Sequence, residues 1–189
     1  MTRHRREKDS SPGVLMTLVG WIVYIAIIVG LTYLIITYVG QRTRVSGSSM
    51  ETTLSDGDNL IVDKISYRFK EPERYDIIVF PYKYEPNTYY IKRIIGLPGE
   101  TIQVIDGCTY IDGEKLTSDV YGAEIMDAAG IAEKQIVLGQ DEYFVLGDNR
   151  NHSSDSRDSS VGVLEREDLM GRAWVRIYPF DRVGVIKHG

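Results

Sequence analysis

The stretch YYIKRIIGLPGE, from Tyr89 to Glu100, indicates the fold class of most of the chain. It opens with a short run of aromatic and β-branched residues and ends in turn residues, which is the pattern of a β-strand followed by a turn. The sequence therefore predicts a mostly β domain of short strands and hairpins. Runs of the same kind recur on both sides of it: NLIVDKI (59–65), DIIVF (76–80), TIQVI (101–105), EYFVL (142–146) and RAWVRIY (172–178).

Turn and helix signals add detail to this prediction. Asp106-Gly107 and Asp112-Gly113 favour positive φ at tight turns, so residues 101–116 are expected to form a hairpin followed by a short third piece. Helix signals are few. EREDLMG (165–171) predicts about two helical turns that end at a glycine, and GAEIMDAAGIAEK (122–134) predicts a weakly helical or irregular insertion.

Towards the N-terminus, the chain carries an uncharged apolar run from Val14 to Val39. At about 1.5 Å per residue this run makes roughly 39 Å of helix, more than the hydrocarbon core of about 30 Å. Basic residues precede it, which predicts a cytoplasmic N-terminus: Arg3, Arg5, Arg6 and Lys8. A cleaved export signal is the alternative, with small residues at Ser46-Gly47-Ser48, but the apolar run is about twice the usual signal length.

The chain is thus expected to have three parts. Residues 1–13 form a cytoplasmic basic tail, residues 14–39 form the single transmembrane anchor, and residues 40–189 form an extracytoplasmic β domain. We also expect removal of residues 1–44 to leave a folded domain. The predicted location is the cell membrane, with membrane lipid around the anchor.

Composition excludes several classes of function. The formal net charge of -5 argues against nucleic acid as a partner, because phosphate binding needs a basic face. Cys108 is the single cysteine, so no intrachain disulfide can form, and packing is the expected role of its thiol. Three scattered histidines and one cysteine offer no ligand set with useful spacing, so neither a metal nor another cofactor is expected.

Three segments do not fit the strand pattern and contain groups suited to catalysis. RVSGSSMETTL (44–54) places Ser49 in a turn, where a hydroxyl and a backbone N–H can serve a nucleophile and its oxyanion, although a linker has a similar composition. Lys92 shares a strand face with Tyr90 and Ile94, and poor solvation there would lower the pKa of its ammonium unless the head of the side chain reaches water. GDNRNHSSDSR (147–157) is dense in hydrogen-bonding groups, as a solvated loop also can be.

Together these segments resemble type I signal peptidases, the membrane-anchored Ser-Lys proteases that remove signal peptides from exported preproteins. The matching motifs follow in the family's order over nearly the whole chain: the anchor, SGSSMETTL, RYDIIVF, YIKRIIGLPGE, GDNRNHSSDSR and GRAWVRIYPF. The single span is similar to that of the Gram-positive-like members. By this resemblance Ser49 is the nucleophile, Lys92 is the general base, and Ser153 orients the lysine amine.

The resemblance also implies supporting residues and partners. An extended signal peptide would add beside a strand and place its small side chains in shallow apolar pockets, for which Met50, Leu54, Tyr90 and Ile91 are the candidates. The backbone N–H of Ser49 would hold the oxyanion, and the enzyme is expected to be a monomer. The residues expected to brace the site are Asp148, Asn149, Arg150, Asp155 and Arg157, with Asp155 and Arg157 as a charge pair.

The chain departs from the family pattern at Thr52, where proline is usual, at Tyr75, where glycine is usual, and at Gly47, where some members have a serine. Two other classes stay open: a repressor-type Ser-Lys protease, which would need a DNA-binding segment, and an inactive membrane-tethered module that binds peptides.

A Ser-His-Asp triad is also open, because Ser49, His152 and either Asp148 or Asp155 supply its parts. Its weakness is that His152 lies in a polar loop, whereas Lys92 lies in a strand whose neighbours could desolvate an amine.

Overall fold

The computed structural model describes residues 13–34, 40–122 and 124–188 and divides the chain into two units, Met1–Tyr38 and Val39–Gly189. The first unit contains helix α1, Val14–Leu34, which is long and apolar enough to cross a membrane and has no buried residue. Apart from Gly13, the basic tail lies outside the described residues, as do residues 35–39 of the predicted span. The β unit of residues 40–188 holds the remaining described elements.

The β unit is mostly β, which confirms the fold class predicted from the sequence. Its strands alternate with turns and with short 3₁₀ segments. In chain order the strands are β1 Gly40–Arg44, β2 Asn59–Asp63, β3 Ile77–Pro81, β4 Tyr89–Gly96, β5 Thr101–Ile105, β6 Cys108–Ile111, β7 Glu114–Lys115, β8 Ile136–Val137, β9 Glu142–Leu146, β10 Leu164–Glu165, β11 Gly171–Tyr178 and β12 Gly184–Val185.

The larger sheet has the order β1-β2-β11-β3-β4-β9-β10, and β12 pairs with β11. Strand β3 is buried on both faces, which explains why its sequence is a continuous apolar run. Ile77 and Val79 pack in one hydrophobic cluster, whereas Ile78 and Phe80 pack in a second cluster on the other face. Strand β4 lies beside β3, so its residues also face a core on each side.

The smaller sheet has the order β7-β6-β5-β8. Asp106, Gly107, Asp112 and Gly113 have φ of 49°, 70°, 52° and 84°, so both Asp-Gly turns adopt the positive φ at both central positions that a two-residue hairpin turn requires. The predicted hairpin and its short third piece are therefore confirmed. The inner face of this sheet packs with residues of β9 in a third hydrophobic cluster that includes Ile102.

One helix prediction was wrong. EREDLMG forms the short strand β10 and a single 3₁₀ turn, Arg166–Asp168, closed by reciprocal side-chain caps from Glu165 and Asp168. The turn stops there because the following residues lead directly into β11, and the N–H of Met170 already donates to the carbonyl of Val79. In the insertion, one 3₁₀ turn spans Gly130–Glu133.

One strand boundary and one additional strand also differ from the prediction. NLIVDKI ends as a strand at Asp63, because its carboxylate accepts the backbone N–H groups of Ile65 and Ser66 and turns the chain. Strand β1 was not predicted, since its polar sequence GQRTR lacks the strand composition, yet it pairs antiparallel with β2 from Gly40↔Asp63 to Arg44↔Asn59. Deleting residues 1–44 would remove this strand, so such a deletion should destabilise the domain, in contrast to the expectation from the sequence.

Candidate active site

Ser49 lies in the connection between β1 and β2, and buried apolar residues fix the course of this segment. Met50 and Leu54 are 1% and 0% exposed, and the N–H of Leu54 donates to the carbonyl of Met50 at 2.8 Å. Before the serine, Gly47 adopts a φ of 89°, a conformation that favours glycine, and its N–H donates to Asp56 at 2.9 Å. Ser49 is thereby held half-buried at the rim of the core.

Lys92 lies in the middle of β4 opposite Ile78 and is only 4% exposed. Its Nζ is 2.8 Å from the Oγ of Ser49 and 3.0 Å from the carbonyl oxygen of Ile91. Burial lowers the pKa of Lys92 to about 8, while the negative charges of Asp155 and Asp148 act in the opposite direction. A substantial fraction of the amine is therefore neutral at mildly alkaline pH.

The ring of Tyr90 extends the apolar surroundings of this amine. Its centroid is 5.0 Å from Lys92 Nζ, and the ring of Tyr82 stacks on it with centroids 4.6 Å apart. The strand-face relation predicted between Lys92, Tyr90 and Ile94 is present, because Ile94 is fully buried and Tyr90 packs against the same hydrophobic cluster. This packing is the physical reason for the desolvation of Lys92.

The Gly147–Arg157 loop follows β9 and contacts the serine segment closely. A Cβ on Gly147 would lie 2.5 Å from the carbonyl oxygen of Ser49 and would also collide with Ser153, so a side chain cannot be accommodated there. Asn149 joins the two segments, since its N–H donates to the carbonyl of Ser49 at 3.1 Å and its side chain donates to that of Ser48 at 3.2 Å.

Arg93 and Asp148 form a buried ion pair directly beside the candidate pair. Both side chains are 0% exposed, and the guanidinium donates from Nε at 2.8 Å and from Nη2 at 2.7 Å to the two carboxylate oxygens. Thr53 donates to the same carboxylate at 2.6 Å and so connects the serine segment to it. Two parallel hydrogen bonds of this kind fix both groups in orientation.

The other sequence-predicted braces also hold the loop. Asp155 pairs with Arg157 at 2.8 Å, which is the expected charge pair, and its carboxylate accepts the N–H of Gly147 at 3.1 Å. Arg150 donates from Nε to the carbonyl of Gly147 at 2.9 Å. Ser153 contacts Gly147, and its buried Oγ has no hydrogen-bond partner among the described residues.

His152 lies on the exposed side of the same loop. Within the described part of the chain no hydrogen bond joins it to Ser49, whose Oγ contacts Lys92. His188, in contrast, is buried: its Nδ1 accepts the N–H of Ile77 at 2.9 Å, and its carbonyl accepts Nη1 of Arg93 at 3.1 Å. Burial, followed by the charge of Arg172, lowers the pKa of His188 to about 4.

A cavity of about 290 Å³ opens beside Ser49 and Lys92. Three of the predicted pocket residues, Met50, Tyr90 and Ile91, line it, but Leu54 does not and lies fully in the core. Strand β4 pairs with β3 from Tyr89 onwards but with β9 only from Arg93 onwards, so the edge of Tyr89–Lys92 borders the cavity. The remaining lining residues are Thr43, Arg44, Val45, Ser46, Gly47, Ser48, Tyr89, His152 and Ser154.

Sequence reasoning missed several residues of this site. Arg93, Thr53 and Gly147 were not assigned a role from the sequence. The only signal for Arg93 was its place next to Lys92 in an apolar strand, where a buried charge needs a partner such as Asp148. Among the described residues no cluster of three or more His, Cys, Asp or Glu side chains could hold a metal ion.

Comparison with known proteins gives consistent matches. The sequence model of the family described as signal peptidase, peptidase S26, matches residues 18–178. A probable signal peptidase I-2 of a Synechocystis species is 40% identical over 159 residues, which cover 79% of this chain and 68% of the relative. Signal peptidase I of Bacillus licheniformis is 33% identical over 169 residues, covering 86% and 90%. A crystal structure of a signal peptidase I from Enterococcus faecalis covers 55% of this chain and 97% of its own, with 32% identity and a TM-score of 0.46.

Proposed function

Because this chain belongs to the signal peptidase family, peptidase S26, and cleaves signal peptides, we propose that it does so with Ser49 as the nucleophile and Lys92 as the general base. The observation that carries this proposal is the 2.8 Å separation of Lys92 Nζ and Ser49 Oγ. It is supported by the burial that lowers the pKa of Lys92 to about 8. Family membership sets aside the repressor-type protease and the inactive module.

The reaction then proceeds through an acyl-enzyme. Neutral Lys92 takes the proton of the Ser49 hydroxyl as Oγ attacks the carbonyl carbon of the scissile peptide bond. Collapse of the tetrahedral intermediate breaks the C–N bond, and the ammonium of Lys92 gives its proton to the leaving amine. The neutral amine next deprotonates a water molecule, which hydrolyses the ester and restores the Ser49 hydroxyl with the proton from Lys92.

The oxyanion is held by the backbone N–H of Ser49 in this proposal. That N–H makes no hydrogen bond among the described residues, so it is available to a developing negative charge. Ser153 is proposed to orient the amine of Lys92, because its buried Oγ has no other hydrogen-bond partner among the described residues and is free to bond the amine when substrate binds. Asp148, Asn149, Arg150, Asp155 and Arg157 keep the loop and the serine segment in register.

The signal peptide binds in the cavity as an extended strand. It adds to the edge of β4 at Tyr89–Lys92, across from the segment that leads to Ser49. Met50 and Ile91 are almost fully buried and leave only shallow apolar depressions, which suit small side chains next to the scissile bond. This arrangement supports selection of small residues at the cleavage site.

The helix α1 anchors the enzyme to the membrane, as its apolar, uncharged and unburied surface supports. We further propose that the chain crosses the cell membrane once with a cytoplasmic N-terminus, contacts lipid through residues 14–39, places residues 40–189 outside the cytoplasm, and acts as a monomer. Anchoring keeps the enzyme at the surface where membrane-inserted preproteins present their cleavage sites.

Four variants test the assignment of the base. Ser49→Ala, Lys92→Ala and Lys92→Arg should each lose nearly all cleavage of a signal-peptide substrate, while His152→Ala retains most of it. An acylating serine inhibitor should label Ser49 in the unmodified enzyme and in His152→Ala. Activity in Lys92→Ala together with inactivity in His152→Ala would refute the Ser-Lys proposal in favour of the histidine triad.

A further inference from the structure

The segment Ser118–Gly122 lies over two buried arginines that hold the Gly147–Arg157 loop. Arg93 pairs with Asp148, and Arg150 donates to the carbonyl oxygen of Gly147. The segment lies between β7 and β8, two strands of the smaller sheet, and contributes no residue to the cavity beside Ser49. It nevertheless contacts both guanidinium groups.

Tyr121 contacts the first arginine. Its ring centroid is 3.6 Å from Cζ of Arg93, the distance of a guanidinium stacked on an aromatic face. The planar fork of Arg93 is held by Asp148 in its plane and by Tyr121 against its face. The ring therefore adds a restraint against tilting of the guanidinium out of its plane, whereas the hydrogen bonds of Arg93 act mainly within that plane.

Asp119 and Gly122 contact the second arginine. Asp119 pairs with Nη2 of Arg150 at 2.7 Å, and the two side chains are 7% and 3% exposed. Gly122 packs directly against the guanidinium, so closely that a Cβ there would collide with it. Both arginines are thus contacted by the same short segment.

Tyr75 shows that the segment is also tied to the larger sheet. Its φ of 73° lies in the left-handed region, which a tyrosine adopts only when its surroundings compel it. Its hydroxyl is 2.6 Å from Oγ of Ser118, and its ring lies 5.4 Å from that of Tyr121. Its carbonyl oxygen accepts Nη1 of Arg93 at 2.8 Å. The strained residue therefore contacts both the segment and the arginine.

We infer that Ser118–Gly122 is a clasp that positions the Ser49–Lys92 pair through Arg93 and Arg150, with Tyr121 and Asp119 as positioning residues. This inference rests on the proposed function of that pair. Loss of the Tyr121 ring removes the only aromatic face packed on Arg93 among the described residues and so loosens its pairing with Asp148, the neighbour of the Asn149 that holds the serine segment. Alignment of nucleophile and base suffers, whereas the edge of β4 at Tyr89–Ile91, where the peptide is proposed to add, stays paired with β3.

The inference predicts a separation of kcat from KM in the full-length enzyme. Tyr121→Ala should lower kcat for a signal-peptide substrate by about 10- to 100-fold, because misplacement of reacting groups by about 1 Å has effects of that size, while KM stays within about twofold. Tyr121→Phe keeps the aromatic face and should retain the unmodified kcat. Val120→Ala is the matched control, since Val120 lies in the same segment and is 76% exposed.

Cys108 provides a second readout that does not depend on catalysis. It is the single cysteine of the chain and lines the same cavity as Asp119 and Gly122. If the clasp loosens, a thiol reagent should label Cys108 faster in Tyr121→Ala and in Asp119→Asn than in the unmodified enzyme, Tyr121→Phe or Val120→Ala. Thermal unfolding of each variant identifies any that fails to fold, and Tyr121→Leu then replaces Tyr121→Ala.

Three results would overturn the inference: an unmodified kcat in folded Tyr121→Ala and Tyr121→Leu, a loss in Tyr121→Phe equal to that in Tyr121→Ala, or a rise of KM with kcat unchanged. Failure of the Ser-Lys proposal is recognised separately, because it would appear as activity in Ser49→Ala or Lys92→Ala, whatever the Tyr121 variants do.

Discussion

At the scale of single residues, Lys92 combines two requirements that water would not allow together. As the proposed base, it must be close enough to Ser49 to take a proton, at 2.8 Å, and it must be neutral to do so. Burial favours the neutral amine, while Asp155 and Asp148 favour the ammonium. Burial is the larger effect, so the pKa falls but stays near the physiological range.

The pH dependence of the rate follows from this balance. In the proposed mechanism only neutral Lys92 acts as the base, so kcat/KM for a signal-peptide substrate should rise with pH through an apparent pKa of about 8 and then level off. The same rise should persist in His152→Ala. A rise centred near 6.5 that disappears in His152→Ala would instead identify the histidine as the titrating group.

Gly147 contributes no functional side chain to the site, yet we expect its substitution to lower catalytic activity strongly. In Gly147→Ala the new Cβ would lie 2.5 Å from the carbonyl oxygen of Ser49, so the serine segment must move. We expect a loss of kcat of about 100-fold or more. Gly184→Ala is the control, because its Cβ would meet no atom within 4 Å, and its activity should be unchanged.

The candidate pair could be predicted from the sequence, but its supports could not. Ser49 and Lys92 stand in motifs whose order along the chain identifies them. The role of Arg93 depends on a partner that lies far away in sequence, Asp148. It also depends on the full burial of Arg93, which strand alternation does not predict when a strand is covered on both faces. Tyr75 was recognised as an unusual residue, but its contact with Tyr121 requires the three-dimensional structure.

At the scale of elements, the segment from β12 to His188 connects the sheet to the ion pair beside the site. Ile186 packs in the hydrophobic core. The Nδ1 of His188 accepts a hydrogen bond from the backbone N–H of Ile77, and its carbonyl oxygen accepts one from Arg93. A neutral imidazole is needed for the first of these contacts, because a protonated ring has no acceptor. The segment is therefore sensitive to acid.

Folding stability should fall as the pH is lowered from 6.5 towards 4. The pKa of His188 is about 4 in the folded chain and 6.5 as a model value, so in this window the unfolded chain binds more protons. The stability that neutral His188 contributes to folding is fully present above pH 6.5, and about 2 kcal/mol of the free energy of unfolding is lost between pH 7 and pH 5. Urea unfolding at the two pH values measures it.

His188→Asn is the control for that experiment, because an amide oxygen can accept the N–H of Ile77 but does not titrate. The charged groups that face His188 remain in this variant: Asp76, Arg172 and Arg93. Its stability should change less between pH 7 and pH 5. Equal changes in the variant and the unmodified chain would show that another group is responsible.

Strands with apolar, β-branched sequences were predictable, and elements held by pairing alone were not. The turns at Asp106 and Asp112 carry their own signal, since their φ values require particular residues. Strand β1 carries none: its residues are polar, and it is a strand because β2 offers an unpaired edge. The predicted helix at EREDLMG was wrong because tertiary hydrogen bonds to β3 override local helix preference.

At the scale of the whole molecule, the chain is an anchor and a β unit with separate tasks. In the proposed function the anchor raises the local concentration of the enzyme at membrane-inserted substrates and contributes no catalytic group. Removal of residues 1–38 should therefore leave a folded unit that cleaves soluble peptides normally but inserted preproteins more slowly. Equal turnover of inserted preproteins by both forms would contradict this expectation.

Removal of residues 1–44 is the matched comparison and should behave differently. It deletes β1, and with it the hydrogen bonds of Arg42 to Asn59 and the strand from which the serine segment starts. We expect lower stability by several kcal/mol or aggregation through the exposed edge of β2, measured by thermal unfolding and light scattering. A melting temperature equal to that of the 1–38 deletion would show that β1 is dispensable.

Met50 and Ile91 belong both to the wall of the substrate cavity and to the hydrophobic core. A mutation that widens this wall to admit larger side chains also leaves a void in the core, and large-to-small changes of that kind destabilise by about 2–5 kcal/mol. New cleavage preferences are therefore accessible to evolution only from backgrounds with stability to spare. If mutation placed bulky residues at the cleavage sites of secreted proteins, selection would restore small residues at those sites long before the enzyme evolved a wider wall.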